Sequence, residues 1–331
     1  MTTADATAEL TRPSTWLAAV RSRLQQLLAF ASLVVIVGFF SVASPNFFTY
    51  GNIINILFST VVIGTLALGT TFVIISGGID LSIGTGMTLC AVMSGVFLTN
   101  WGLPIALGIP AAILFGGLVG LVNGFNVAVL KIPPFIATLA MMLVAQGLAL
   151  VISHSAPIYF TKSPEYVNIS IGQLVPQVPN AVLVLFAAIV VSAVLLNTTL
   201  LGRYTYSIGS NEEATALSGI DVRRWKLVIY TLAGLFIGLA GVMISARLGS
   251  AQPATGMGYE LQAIAAVVIG GTSLAGGKGS IVGTVIGALI ISTLNNGLQI
   301  MSIPQEWQNV VLGVVILVAV YADQARKRAT P

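Results

Sequence analysis

Seven charged residues, Arg203, Glu212, Glu213, Asp221, Arg223, Arg224 and Lys226, lie within residues 201–226, LGRYTYSIGSNEEATALSGIDVRRWK, out of 24 in the whole chain. No other long polar passage separates apolar stretches. In a chain that is only 7% charged, charge gathered into one internal loop marks either a surface that a partner touches or a hydrated link between two membrane helices. A second charged group stands apart: Asp80, in SGGIDLSIG (76–84), sits between two apolar stretches with almost no loop. A carboxylate near hydrocarbon is costly and is a functional candidate for that reason. The structural reading is that Gly77 and Gly78 end one helix and Asp80 caps the next. The two readings are compatible, since a broken helix beside a pathway is a common transporter device. Gly77, Gly78, Asp80 and Ser82 are therefore pathway or gate candidates.

The segment VIISGGIDLSIG (73–84) has a faint echo in VVIGGTSLAGG (267–277), which adds Gly270, Gly271 and Thr272 to the gate candidates. The run GGTSLAGGKGS (270–280) also invites comparison with a phosphate-binding loop. That motif needs glycine, four residues, then Gly-Lys-Ser/Thr. Counting back from Gly277-Lys278 reaches Thr272 instead of glycine, and Gly279 follows the lysine. Nucleotide binding by this chain is not expected.

Nor do the residues assemble into a catalytic set. No Ser/His/Asp or Cys/His grouping and no paired carboxylates emerge from the pattern. One cysteine, Cys90, and one histidine, His154, exclude an intramolecular disulfide and argue against a Cys/His metal site. Cys90 lies in an apolar run and reads as packing; His154 reads as a surface group.

Hydrophobic residues make up 56% of the 331 residues, and the mean hydropathy is +0.98. A soluble domain of this size could not hide so much apolar surface, so lipid is the solvent for most of the chain. The 35 glycines fall mainly within apolar runs, as in membrane helices that pack closely through small residues. A pI near 9.3 and a net charge of +4 are compatible with nucleic-acid binding, but the basic residues are scattered over loops. A membrane protein with positive cytoplasmic loops gives the same totals, and no nucleic-acid partner is expected.

Apolar runs occupy 27–43, 53–76, 81–99, 103–125, 135–152, 181–196, 227–247, 261–274, 280–301 and 307–321. Crossing a hydrocarbon core of about 30 Å takes about 20 helical residues. The runs at 261–274 and 307–321 are short, and tilting, extension by flanking residues or re-entry would each accommodate them. With ten crossings and a cytoplasmic N-terminus, 12 of the 14 basic residues fall inside. Only Lys162 and Arg247 fall outside. Removing one crossing would place Arg326, Lys327 and Arg328 outside, against the charge rule, so an even number is favoured; ten fits best and eight remains open. The expected fold is an all-α integral membrane protein of about ten transmembrane helices with short loops and both termini cytoplasmic. It comprises a tail over 1–23, with no cleavable signal pattern, a membrane-spanning body over 24–322 and a second tail over 323–331.

Two ladders, Gly116-Gly120-Gly124 and Gly279-Gly283-Gly287, space glycine by four, on one helix face each, and read as tight helix packing. The outer passage 153–180 contains four prolines and is not expected to form one helix. Lys162 and Arg247, the two outside cations, are candidate contacts for an acidic rim on an external partner.

Taken together, GNIINIL (51–57), SGGIDLS (76–82), NGFNVAVLKIPPFIATL (123–139), GRYTYSIGSNEEATALSGI (202–220), the stretch ARLGSAQPATGMGYELQAIAAVVIGGTSLAGGKGSIVGT (246–284) and LNNGL (294–298) resemble the permease subunits of bacterial ribose-type ABC sugar importers. The resemblance runs from about Phe48 to Val320. It implies a cytoplasmic-membrane permease without catalytic activity. Its partners would be separate ATP-binding cassette ATPase subunits that hold ATP and Mg, a periplasmic or lipid-anchored sugar-binding protein, and a second permease, identical or a sibling. It further implies that the charged internal loop docks into the ATPase, through Gly202, Arg203, Gly209, Asn211, Glu212, Ala214 and Gly219. Glu213 directly follows Glu212 where the family often has small residues, which leaves open which glutamate docks. The implied solute is a monosaccharide, selected largely by the binding protein. An ion-coupled secondary transporter, with Asp80 as the coupling carboxylate, is the competing expectation.

Overall fold

The computed structural model of the protein describes the backbone of residues 15–328 and the side chains of residues 27–321. The expected tails lie wholly or partly outside these residues, as do the side chains of Arg12, Arg21, Arg23, Arg326, Lys327 and Arg328.

The described chain is helical almost throughout, in the order α1 (Thr15–Ala43), α2 (Tyr50–Ile75), α3 (Ile83–Gly95), α4 (Ile105–Ala128), α5 (Pro134–Ile152), α6 (Asn168–Ile171), α7 (Asn180–Thr198), α8 (Leu200–Ser210), α9 (Glu212–Leu217), α10 (Val222–Leu248), α11 (Tyr259–Ile269), α12 (Ile281–Ile300) and α13 (Gln305–Arg328). A π-helical turn, Val96–Asn100, continues α3. Two short strands, β1 (Ile158–Tyr159) and β2 (Ser250–Ala251), pair antiparallel. Among the described residues, seven helices are long and apolar enough to cross a membrane, and three shorter apolar helices accompany them.

Two segments differ from the sequence reading. Helix α1 starts at Thr15, inside the expected tail, because WLAAVRSRLQQLL is made of good helix formers although it is not uniformly apolar. Residues 200–210, expected as part of one loop, form α8. Leu201, Gly202, Thr205 and Ile208 are its buried residues, and their spacing lays them on one helical face.

Hydrogen bonds fix the two ends of the molecule. At one end Tyr50 Oη donates to the Gln177 carbonyl, Thr99 Oγ1 to the Tyr159 carbonyl, and Ile158 pairs with Ala251. At the other, about 39 Å away along α2 at 1.5 Å per residue, the Gly277 N–H donates to the Ile75 carbonyl at 2.8 Å. The chain thus travels from one end to the other between Ala251 and Gly277. The α11 helix covers only about 16 Å of that path, and extended and turn residues supply the rest. The run 261–274 is therefore a half-helix with non-helical flanks, and helix ends at Ile269.

Helices α2 and α3 are buried along most of their length, whereas α4, α5 and α7 each leave a broad apolar face open. Exposed Leu114, Leu118, Leu143, Val151 and Phe186 are compatible with lipid or with a second subunit. Helices α4 and α10 pack backbone against backbone. A Cβ at Gly116 would strike the Gly234 carbonyl, one at Gly120 would strike the Tyr230 carbonyl, and one at Gly124 would lie 3.1 Å from the Tyr230 Cβ. Gly234 and Gly238 return the favour from α10, meeting the backbone of Gly116, Gly120 and Ile113. In the second ladder Gly283 and Gly287 seat α12 on the carbonyls of Gly270 and Ala266 in and beside α11, while Gly279 lies before α12 begins, against Thr272 and Ile75.

Because backbone meets backbone at Gly120, Gly120→Ala should lower thermal stability in detergent by about 1–3 kcal/mol. Gly147→Ala, on α5 with nothing within 4 Å of the new methyl, should be neutral or stabilising by up to about 1 kcal/mol. Melting of the two purified variants against the parent checks the contrast.

Candidate functional site

The two segments that echo one another in sequence end their helices with the same hydrogen bonds. After α2, the N–H groups of Ser76, Gly77 and Gly78 donate to the carbonyls of Phe72, Ile74 and Val73 at 3.1, 2.9 and 2.9 Å. After α11, those of Gly270, Gly271 and Thr272 donate to Ala266, Val268 and Val267 at 3.0, 2.9 and 3.1 Å. The middle glycine adopts φ +82° at Gly77 and +93° at Gly271, which glycine enters without the clash a Cβ brings. Both are six-to-one glycine terminations that satisfy the last carbonyls of a helix.

These two breaks meet through the Gly277 N–H and the Ile75 carbonyl, and α8 presses on the junction. A Cβ at Gly209 would collide with the Ile75 carbonyl and lie 2.6 Å from the Gly277 nitrogen. Tyr206, on the same helix, donates its hydroxyl to the Gly279 carbonyl at 2.8 Å. Burial raises the pKa of this phenol, which keeps it protonated and donating.

Asp80 lies in the extended link that follows the first break and is fully buried, as are Ser82 and Asn123. Its Oδ1 accepts the Ser82 N–H at 2.8 Å and the Ser82 hydroxyl at 2.6 Å. Asn123 Nδ2, from α4, donates to Ser82 Oγ at 2.8 Å and reaches Asp80 Oδ2 at 3.3 Å. Thr138 Oγ1, from α5, donates to the Pro134 carbonyl at 2.8 Å and lies 3.3 Å from the Ile79 carbonyl. The capping expectation is corrected in detail. Ser82 occupies the N-cap of α3, and Asp80 accepts that residue's own N–H, closing an Asx turn just ahead of the helix.

The charged loop is built from local caps. Asn211 Oδ1 accepts the Ala214 N–H at 2.9 Å and starts α9, with both glutamates in its first turn. Gly219, at φ +83°, turns the chain, and Asp221 Oδ1 accepts the Arg224 N–H to start α10. Glu212 pairs with Lys226 at 2.7 Å. Glu213 is exposed, and so is Leu217, at 89%. Arg203 is exposed on α8. A cleft of about 250 Å³ opens between this loop and the first break, lined by Gly77, Gly78, Gly209, Asn211, Glu212, Lys226 and Tyr230 among others.

The structure thus brings together Gly77, Gly78, Gly209, Asn211 and Glu212; from the second segment it is Gly276 and Gly277 that meet Gly77, Gly209 and Ile75, whereas Gly270 packs on Gly283 of α12. Lys162 and Arg247 belong to the opposite end. Lys162 is exposed and donates to the Thr99 carbonyl at 2.9 Å. Arg247 is half-buried, its guanidinium 4.8 Å from the centre of the Phe58 ring. Sequence reasoning missed Asn123 and Tyr230. A lone amide in the apolar run 103–125 is a signal for the first; Tyr230 carries none, since an aromatic residue in a span is ordinary packing.

Residues 52–320 match the family described as branched-chain amino acid transport system / permease component. The chain belongs to this family. Its members are transport permease components, not enzymes. The ribose import permease protein RbsC of Escherichia coli (strain K12) is 43% identical over 309 residues, 92% of this chain and 95% of that protein. RbsC of Bacillus subtilis (strain 168) is also 43% identical, covering 92% and 94%. The xylose transport system permease protein XylH of Escherichia coli (strain K12) is 34% identical, covering 92% and 93%. No solved structure matches the chain.

The geometry at Asp80 separates a turn-forming carboxyl from a charge that couples transport. An asparagine at 80 keeps an oxygen for both Ser82 bonds and gives up only the longer contact from Asn123 Nδ2 at 3.3 Å, while Asn123 keeps its bond to Ser82 Oγ. Asp80→Asn should therefore retain most uptake at normal membrane levels. Asp80→Ala, which strands buried donors at about 1–3 kcal/mol, should lower the amount of protein inserted. Solute uptake normalised to immunoblotted membrane protein distinguishes them, and loss of uptake in well-inserted Asp80→Asn would point to an ionised, coupling carboxylate.

Proposed function

We propose that this chain is the transmembrane permease subunit of an ATP-driven, binding-protein-dependent importer of a monosaccharide of the ribose or xylose kind. It acts in the bacterial cytoplasmic membrane with ten crossings and both termini cytoplasmic. Two such subunits enclose the pathway, and separate ATPase subunits work it from the cytoplasmic side. The observation that carries this reading is the seat of Gly209 against the Ile75 carbonyl and the Gly277 amide. It joins the charged loop directly to both helix breaks, so a force applied to the loop acts on the candidate gate. Identity to sugar import permeases over nine-tenths of the chain supports the solute class.

In this reading α9 is the coupling helix, and the exposure of its outer surface favours Glu213 as the glutamate that docks. Glu212 is held by Lys226 and lines the cleft. Glu213 and Leu217, four residues apart on one helical face, stand out into solvent. They fit an ATPase cleft with an apolar floor and a basic rim, while Arg203, exposed on α8, flanks the contact; Gly202 is instead buried against the Leu196 backbone. Gly77, Gly78, Gly270, Gly271 and Thr272 form the gate, with Asp80 and Ser82 shaping its first turn. A binding protein approaches the opposite end, where Lys162 is the exposed cation. Solute movement follows from the partners' unequal affinity for inward-open and outward-open states.

Co-purification from membranes tests the reading. The parent chain should bring down an ATPase, whereas Leu217→Asp and Glu213→Lys should each cut recovery about tenfold or more, as expected for central interface residues. Glu212→Gln should leave recovery unchanged. A chain that recruits no ATPase, with uptake that collapses on dissipating ion gradients while ATP stays high, would instead support a secondary transporter.

A further inference from the structure

Two residues on the first turns of α10 tie the charged loop to the gate by a second route, independent of Gly209. Lys226 Nζ reaches Glu212 Oε2 at 2.7 Å, with the lysine side chain only 17% exposed. Tyr230, one turn further along α10, lies on the same helical face and is 1% exposed. Its hydroxyl abuts Gly78: a Cβ there would lie 2.5 Å from Tyr230 Oη and 3.3 Å from the phenol carbon that bears it. That hydroxyl has no hydrogen-bond partner among the described residues, so its contact with Gly78 is one of shape. The backbone behind Tyr230 is clamped, because its carbonyl packs on Gly120 and its Cβ faces Gly124.

We propose that Lys226 and Tyr230 are positioning residues for transport, forming a strut on α10 that carries displacement of α9 to the Gly77–Gly78 turn. The inference rests on the coupling role proposed for α9. Glu212 is the loop's handle on the strut, and Glu213 is left free for the ATPase. The cleft of about 250 Å³ that Glu212, Lys226, Tyr230, Gly77 and Gly78 share gives the loop room to move against the gate. Methionine at 226 keeps the apolar stem of the largely buried lysine, and Glu212, 54% exposed, stays in contact with water, so losing the pair strands no buried charge; Lys226→Met disturbs coupling and leaves the fold intact.

The test uses the complete transporter, permease with its ATPase subunits and binding protein, reconstituted in vesicles with labelled ribose, or xylose where ribose is not carried. ATPase recovery, ATP hydrolysis and uptake are measured together. Lys226→Met and Lys226→Glu should recruit the ATPase normally yet raise ATP consumed per solute about tenfold, the scale of a coupling free energy between sites. The exchange Glu212→Lys with Lys226→Glu should return the ratio to within about twofold of the parent. At the other end, Gly78→Ala and Tyr230→Phe should each uncouple, and the double variant should recover, because the new methyl fills the space the hydroxyl leaves. Unchanged coupling in Lys226→Met, or double variants no better than their singles, would overturn the strut. A parent chain that fails to recruit any ATPase would overturn the coupling reading instead, and the two failures are distinct.

Discussion

A helix that ends against packed protein frees backbone groups that water does not reach, and a buried carbonyl left unsatisfied costs about 1–3 kcal/mol. Here the Ile75 carbonyl, released where α2 stops, is taken by the Gly277 N–H from the link between α11 and α12. That bond ties the two breaks to each other. Every other feature of the site is arranged around it. The glycine terminations at Gly77 and Gly271 satisfy the remaining helix carbonyls, and Gly209 lacks a side chain because the bond occupies the space one would need.

The same logic sets the scaffold. Hydrophobic burial gives membrane helices little reason to prefer one another, so contact is won by close backbone approach and by hydrogen bonds. The α4–α10 pair is made almost wholly of the first kind. Its glycines bring two backbones within contact, and Tyr230 emerges from that rigid seam toward Gly78. The α2–α12 contact uses the second kind: Thr71 and Thr284 share a hydrogen bond at 2.7 Å, and Asn52 and Asn296 exchange a reciprocal amide pair at 2.9 Å each way. The pairs lie near opposite ends of α2, which fixes α12 along its length and, with it, the link carrying Gly277.

Most of the architecture was legible because its causes are local. Apolar runs of spanning length, glycine every fourth residue and the proline-rich outer passage each state their consequence in the sequence. The boundaries that escaped were those where composition and conformation part. Helix α1 runs on through arginine and glutamine, and α8 hides an amphipathic pattern inside a stretch marked by its charge. At the site, the glycines and Asp80 stood out by type, whereas their partners did not. Asn123 contacts Ser82 from 41 positions away and Tyr206 contacts Gly279 from 73; only the packing of α4 and α8 on the breaks brings such pairs together. The difference between Glu212, paired with Lys226, and the exposed Glu213 was likewise closed to the sequence, since it depends on where α10 places Lys226.

That pairing also bears on how a six-residue helix is held in shape. Alone, a helix this short is far below the length at which helix formation becomes favourable in water. Asn211 caps its start, and the Thr215 hydroxyl donates back to the Asn211 carbonyl at 2.7 Å. Lys226 pins its first turn to α10, and the backbone of Gly209 locks the preceding helix to both breaks. Held at these points, α9 has little freedom to yield by unwinding. Through Gly209, α8 packs against the end of α2 and the link that follows α11, where the Gly277 N–H meets the Ile75 carbonyl.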